Sequence, residues 1–151
     1  DLCVVMIGGG PDESRLRATI EADPVLRSIV RLEGFQPREV VAALRQASAA
    51  SLCLMGGFSL IEACAAASPV IAYDVEWHRE LVENGRTGFL VPEGDQAAVA
   101  EAVRELLRDP ERAGTLGRNA RELALTRHAV ERTVAIKREC YRELLPHGTA
   151  S

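Results

Sequence analysis

The stretch Gly56-Gly57-Phe58-Ser59-Leu60-Ile61-Glu62 combines residue types suited to an anionic ligand that also carries hydroxyl groups. Two glycines stand just before a helical pattern, where the lack of Cβ lets a ligand reach the backbone. A helix N-terminus offers amides without intrahelical partners and a partial positive charge. The backbone of Gly57, Phe58, Ser59 and Leu60 is therefore placed to hold a diphosphate. Glu62 follows one turn later, and its carboxylate can accept two hydrogen bonds from the vicinal hydroxyls of a ribose. A purely local reading weighs equally: Ser59-x-x-Glu62 is also a capping box, with Glu62 folded back onto the Ser59 amide. One carboxylate oxygen for each partner satisfies both readings.

Two further segments carry candidate chemistry. Gly8-Gly9-Gly10-Pro11 follows an apolar run, and Gly9 and Gly10 would let a ligand approach the backbone. The pattern is not G-x-G-x-x-G, because Glu13 stands at the third glycine's place, and Asp12 and Glu13 repel a phosphate. A tight strand-to-helix turn is the favoured reading there. Asp74-Val75-Glu76-Trp77-His78 follows another apolar run. His78 has the chemistry to hydrogen-bond a sugar or phosphate, although a histidine at a helix start is more often a surface residue. Trp77 is expected to close over a core edge. Asp74-Val75-Glu76 is not a D-x-D metal motif, and no metal site is expected.

The elements that must position these residues are legible as apolar runs alternating with amphipathic stretches. Strands are expected at Leu2–Ile7, Ser28–Glu33, Ala50–Met55, Pro69–Tyr73 and Thr87–Val91, each closed by Gly, Asp or Pro. Helices are expected at about Asp12–Ala22, from Pro37 through Leu44, at Ser59–Ala67 and, briefly, at Glu76–Glu83. From Asp95 the chain turns helical, with Asp95 and the Asp109-Pro110 pair as starts. A last helix is expected from about Ala129 to Leu145, stopped by Pro146, with a fraying tail from His147 to Ser151. The runs are continuously apolar, the pattern of parallel strands covered on both faces. The expected fold class is thus α/β, a doubly wound Rossmann-like parallel sheet of about five strands followed by C-terminal helices. Ligands of such sheets bind at the carboxyl ends of the strands, which is where Gly8–Gly10, Gly34–Phe35, Gly56–Glu62 and Asp74–His78 fall.

Composition narrows the function classes. The 151 residues, 47% hydrophobic and 26% charged, are those of one globular domain that can fold without disulfides. A net charge of -4 offers no electrostatic platform for nucleic acid or anionic lipid. Lys137 is the sole lysine among many arginines, and alanine is abundant, a preference that fits a GC-rich bacterial genome. Cys3, Cys53, Cys64 and Cys140 form no C-x-x-C pair and are expected to be buried reduced thiols of a cytoplasmic protein. No run approaches the roughly 20 apolar residues of a membrane span. Asp1 leads directly into an apolar run without an initiator Met, so the chain reads as a piece of a longer protein.

Taken in order, these motifs resemble the C-terminal domain of the family-4 retaining glycosyltransferases. Val4-Val5-Met6-Ile7-Gly8-Gly9-Gly10-Pro11 is similar to that family's strand-G-x-G-P turn, and Leu32-Glu33-Gly34-Phe35 to its F-x-G-F segment. Ile61-Glu62-Ala63-Cys64-Ala65 with Ser68-Pro69-Val70-Ile71-Ala72 is similar to its L-E-A-M-A…G-x-P-V-I-A core. Asn84 to Pro92, with Gly94-Asp95, is similar to its N-G-x-T-G-x-L-V-P-x-G-D signature. The resemblance covers essentially the whole chain.

It implies half of a GT-B fold: residues 1–146 as a nucleotide-sugar-binding Rossmann-like domain that lacks its first strand-helix unit, and 147–151 as a tail. It implies transfer of a sugar from a nucleoside diphosphate sugar with retention, without metal or separate cofactor. Gly57, Phe58, Ser59 and Leu60 would hold the diphosphate, Glu62 the ribose, and Gly34 and Phe35 would lie near the base. The acceptor would belong to a missing N-terminal domain, leaving this chain inactive alone and prone to self-association through the gap in its sheet. A membrane-peripheral placement of the longer protein stays open. The sequence departs from the family at the first of two glutamates, the one that contacts the donor sugar: its place falls at Leu54 or Met55, in a shortened loop. That absence keeps a non-catalytic binding domain in view. A GT-B epimerase, with His78 and Glu76 as acid/base groups, is the other enzymatic alternative. A receiver-type signalling module is disfavoured, because Gly8–Gly10 and Met55–Gly57 stand where it needs acids.

Overall fold

The computed structural model describes residues 2–145. The expectations for Pro146 and the tail His147–Ser151 lie outside the described residues. The chain divides into two compact units, Asp1–Leu44 and Arg45–Ser151.

The first unit contains β1 (Val4–Ile7), α1 (Glu13–Ala22), α2 (Pro24–Ile29), β2 (Val30–Gly34) and the start of α3 (Arg38–Ala47). β1 and β2 pair in parallel, Val4 opposite Val30 and Met6 opposite Leu32. Helix α2 replaces the first residues of the strand expected at Ser28–Glu33. Its start is written locally: Asp23 caps it, Oδ1 accepting from the amides of Val25 at 2.7 Å and Leu26 at 3.2 Å, and Pro24 supplies the first-turn φ. Expected coverage on both faces does not hold for β1. Val5, Met6 and Ile7 stay about two-fifths exposed, and Ile20 is the only buried apolar side chain of this unit among the described residues.

The second unit contains the end of α3, β3 (Ser51–Leu52), α4 (Phe58–Ala65), β4 (Val70–Tyr73), a single 3-10 turn at His78–Glu80, β5 (Gly88–Val91), α5 (Gln96–Arg108), α6 (Pro110–His128) and α7 (Val130–Leu144). Its sheet is parallel in the order β3-β4-β5. The five expected strands therefore form, distributed over a two-stranded and a three-stranded sheet.

Strand β4 shows why the second unit is stable. Successive strand residues point to opposite faces. Val70 and Ala72 join Leu60, Ala63, Cys64, Ala120 and Ala124 of α4 and α6 in one buried cluster. Ile71, pointing the other way, joins Val91, Ala102, Leu106, Ala113 and Leu116 in a second. Each large aliphatic side chain buried in this way contributes about 1.5–3 kcal/mol. The helices start where the sequence placed them: Asp95 accepts from the Ala98 amide and Asp109 from the Arg112 amide, each at 2.9 Å. The four thiols divide. Cys53 and Cys64 are buried as expected, whereas Cys3, ahead of β1, and Cys140, on the outer surface of α7, are exposed. No described helix is long and apolar enough to cross a membrane.

Candidate functional site

Because β3, β4 and β5 are parallel, the segments that follow them emerge at one end of the sheet. These are Cys53–Gly57, Asp74–His78 and Pro92. Helix α4 opens this end. It starts at Phe58, one residue earlier than the sequence suggests, with Gly57 as N-cap and no side-chain cap. The capping box is consequently not formed. Ser59 lies inside the helix, too far along to serve as its cap, so Glu62 has no cap amide to fold back upon.

The amides of the first helical turn divide between use and exposure. Leu60 is fully buried and its amide donates to the Gly57 carbonyl at 3.1 Å, so it is not offered to a ligand. Phe58 and Ser59, at the first two helical positions, have no carbonyl four residues back within the helix. Gly57, Phe58 and Ser59 are all exposed. Gly56 is structural: a Cβ there would stand 2.7 Å from the Leu60 Cβ and 3.0 Å from the Cys53 carbonyl oxygen. Above Gly57 nothing lies within 4 Å of the same position.

Glu62 is partly exposed and its Oε2 accepts from Arg45 Nη1 at 2.6 Å. Arg45 was invisible as a site residue in the sequence, since its partner lies 17 positions away and no local pattern links them. The Cys53 thiol sits beneath, 3.6 Å from the Ser59 carbonyl oxygen. Burial pushes that thiol up from its ordinary value, against the opposing pull of the Arg45 charge. Leu54, one of the two positions for the family's first glutamate, packs against the core on the β4–α5 side. Met55, the other, is largely exposed.

The segment after β4 holds the largest correction. His78 is neither a surface residue nor a group open to a ligand. It is 1% exposed, with Nδ1 2.8 Å from the Tyr73 carbonyl oxygen and Nε2 2.9 Å from that of Gly56. A 3-10 turn at His78–Glu80 stands after β4 where a short helix over Glu76–Glu83 is expected. Trp77 meets the His78 ring edge-on at 5.4 Å and packs on the core, as its apolar body favours. With His78 consumed by backbone carbonyls, the epimerase alternative loses its acid/base ring. Asp74 pairs with Arg79, whose hydrogen bonds hold the carboxyl below the usual range. Among the described residues no three His, Cys, Asp or Glu side chains are grouped to hold a metal ion.

In the first unit, Gly8–Gly10 and Gly34–Phe35 come together at the ends of β1 and β2. The Gly8 amide donates to the Gly34 carbonyl at 2.7 Å. The space over Gly9 is filled by the chain itself, since a Cβ there would lie 3.1 Å from the Phe35 ring and 3.3 Å from a Glu13 carboxylate oxygen. Gly10 has open space, and Phe35 is 84% exposed.

Comparison with known proteins gives this geometry a family. The chain is 38% identical over 93 residues to the putative glycosyltransferase EpsD of Bacillus subtilis. It is 36% identical over 113 residues to phosphatidyl-myo-inositol mannosyltransferase of Mycobacterium leprae. These matches take in 62% and 72% of this chain but 24% and 29% of the relatives, so the chain spans less than a third of their length. Among solved structures, sucrose-phosphate synthase from Thermosynechococcus elongatus superposes with a TM-score of 0.82 at 28% identity, over 93% of this chain and 38% of that one. Anabaena HepE in complex with UDP-glucose superposes with a TM-score of 0.77 at 23% identity, over 94% and 40%. The architecture is thus the α/β, Rossmann-like half of a GT-B protein. Residues 1–123 match the family described as "Glycosyl transferases group 1", and the chain belongs to that family of transferases.

Proposed function

We propose that the chain is the donor-binding, C-terminal domain of a retaining glycosyltransferase and takes a nucleoside diphosphate sugar. The observation that carries this reading is the start of α4. An exposed helix N-terminus without a side-chain cap stands one turn ahead of a partly exposed carboxylate that no cap consumes. The amides of Gly57, Phe58 and Ser59 receive the diphosphate, and the unshared oxygen of Glu62 receives the ribose hydroxyls. As the sugar leaves, negative charge grows on the diphosphate, and the aligned dipoles of α4 stabilise it. Chemistry of this kind needs no metal ion, and chelation is expected to leave it intact. Support also comes from the fold neighbour HepE, whose structures hold UDP or UDP-glucose. The acceptor, in this reading, is bound by a separate domain of the whole protein.

Calorimetric titration of the purified chain with UDP tests the reading. Glu62→Gln keeps the shape and removes the charge. It is expected to weaken UDP about tenfold, the scale of one charge-assisted hydrogen bond, with the melting temperature retained. Equal affinity for the parent and the variant rejects the assignment of Glu62 to the ribose.

A further inference from the structure

The pair Arg45–Glu62 differs from the other ion pairs of the described residues. The Arg45 side chain is 17% exposed, whereas every other paired arginine is at least 48% exposed. Its partner is the carboxylate that helix capping leaves free.

We infer that Arg45 is the positioning residue of the nucleotide site: it orients Glu62 and cancels its charge so that the ribose carboxylate is compatible with a neighbouring diphosphate. The inference rests on the donor-binding reading above. Two physical arguments carry it. The first is geometric. A glutamate on a helix surface samples many rotamers, and a hydrogen bond to Oε2 selects among them while leaving Oε1 free for hydroxyl donors. The second is electrostatic. Glu62 lies one turn into the helix whose N-terminus would attract the anion, and an uncompensated carboxylate there opposes that anion. The guanidinium at 2.6 Å removes the conflict. Arginine suits this better than lysine, because its delocalised charge stays ionised in a partly buried place and its planar donors fix direction.

The two arguments separate experimentally. UDP carries the anion, whereas uridine carries the ribose alone. The test compares their affinities for the parent chain, Arg45→Met, Arg45→Lys, Glu62→Gln and the Arg45→Met/Glu62→Gln double variant, by calorimetry for UDP and by NMR titration for uridine. Arg45→Met is expected to weaken UDP about tenfold and uridine by about threefold or less, since only the diphosphate feels the uncovered charge. Arg45→Lys is expected to restore most of the UDP affinity through charge while leaving uridine as weak as in Arg45→Met. The double variant is expected to bind UDP no worse than the weaker single variant, because both act through one group. Should Arg45→Met melt before titration, Arg45→Lys with the parent and Glu62→Gln still decides the geometric half through uridine. A parent-like UDP-to-uridine ratio in the Arg45 variants, with Glu62→Gln impaired, overturns the inference and leaves the donor-binding reading standing. If Glu62→Gln also binds as the parent does, the donor-binding reading falls with it.

Discussion

His78 Nε2 lies 2.9 Å from the carbonyl oxygen of Gly56, tying the turn after β4 to the residue just ahead of the α4 cap. The opposite ring nitrogen, Nδ1, meets the carbonyl of Tyr73 at 2.8 Å. Both neighbours are acceptors, so the imidazole serves them through its ring N–H. His78→Ala removes these ring contacts and leaves a cavity. It is expected to destabilise the chain by about 2–4 kcal/mol in urea titrations. His78→Gln, with two amide protons, is expected to retain part of that stability. Equal stability of parent and His78→Ala would show that water serves the two carbonyls.

Neighbouring glycines separate fold from site. Gly56→Ala forces a Cβ against Leu60 and Cys53 and is expected to cost about 1–3 kcal/mol by overpacking. Gly57 has open space where a Cβ would stand, so Gly57→Ala meets no steric neighbour and is expected to cost less stability than Gly56→Ala. Under the donor-binding reading it still crowds the approach to the helix amides and weakens UDP. Parallel melting curves and UDP titrations of the two variants check both halves.

The cysteines give a pH prediction. Burial pushes the Cys64 thiol up to about 12 from an ordinary 9.0, and pushes Cys53 in the same direction. Above pH 9 the unfolded chain releases these protons and the folded chain keeps them. The stabilisation is therefore complete below that pH and lost as pH rises from 9 towards 12, by up to about 1.4 kcal/mol per pH unit for Cys64. Cys64→Ala is expected to melt with a shallower decline between pH 9 and 10.5 than the parent. At pH 8, iodoacetamide followed by mass spectrometry is expected to label Cys3 and Cys140 and to spare Cys53 and Cys64 until the chain unfolds.

The end of α4 holds a strained residue. Ala67 has φ 59, and the amides of Ala67 and Ser68 return to Cys64 at 2.9 Å and Ala63 at 3.1 Å. This closure favours glycine at the left-handed position. Ala67→Gly is expected to raise stability by about 0.5–1 kcal/mol, the left-handed cost less the added freedom of the unfolded chain. Gly117 of α6 packs directly on this turn, where a Cβ would come within 2.1 Å of the Ala67 carbonyl oxygen. Gly117→Ala is expected to lower stability by at least about 1–3 kcal/mol. Both shifts are read from denaturant midpoints.

Much of this protein was decided locally and was legible in the chain. Apolar runs punctuated by Gly, Asp and Pro placed five strands, parallel within each of two sheets, and Asp95 and Asp109 begin the helices they are expected to begin. The missed α2 was written in Asp23-Pro24, the same cap-and-proline signal as Asp109-Pro110. The site was different. Ser59-x-x-Glu62 satisfies a capping pattern in sequence, but α4 starts at Phe58, and Glu62 turns to an arginine 17 residues away. His78 reads as a surface residue until the turn after β4 folds it under Gly56, 22 positions earlier. Helix caps and strand periodicity depend on neighbours within a few residues, so the sequence alone determines them. Which oxygen a carboxylate offers, and whether a ring faces solvent or a carbonyl, depends on side chains brought together by packing, and only the tertiary structure decides that.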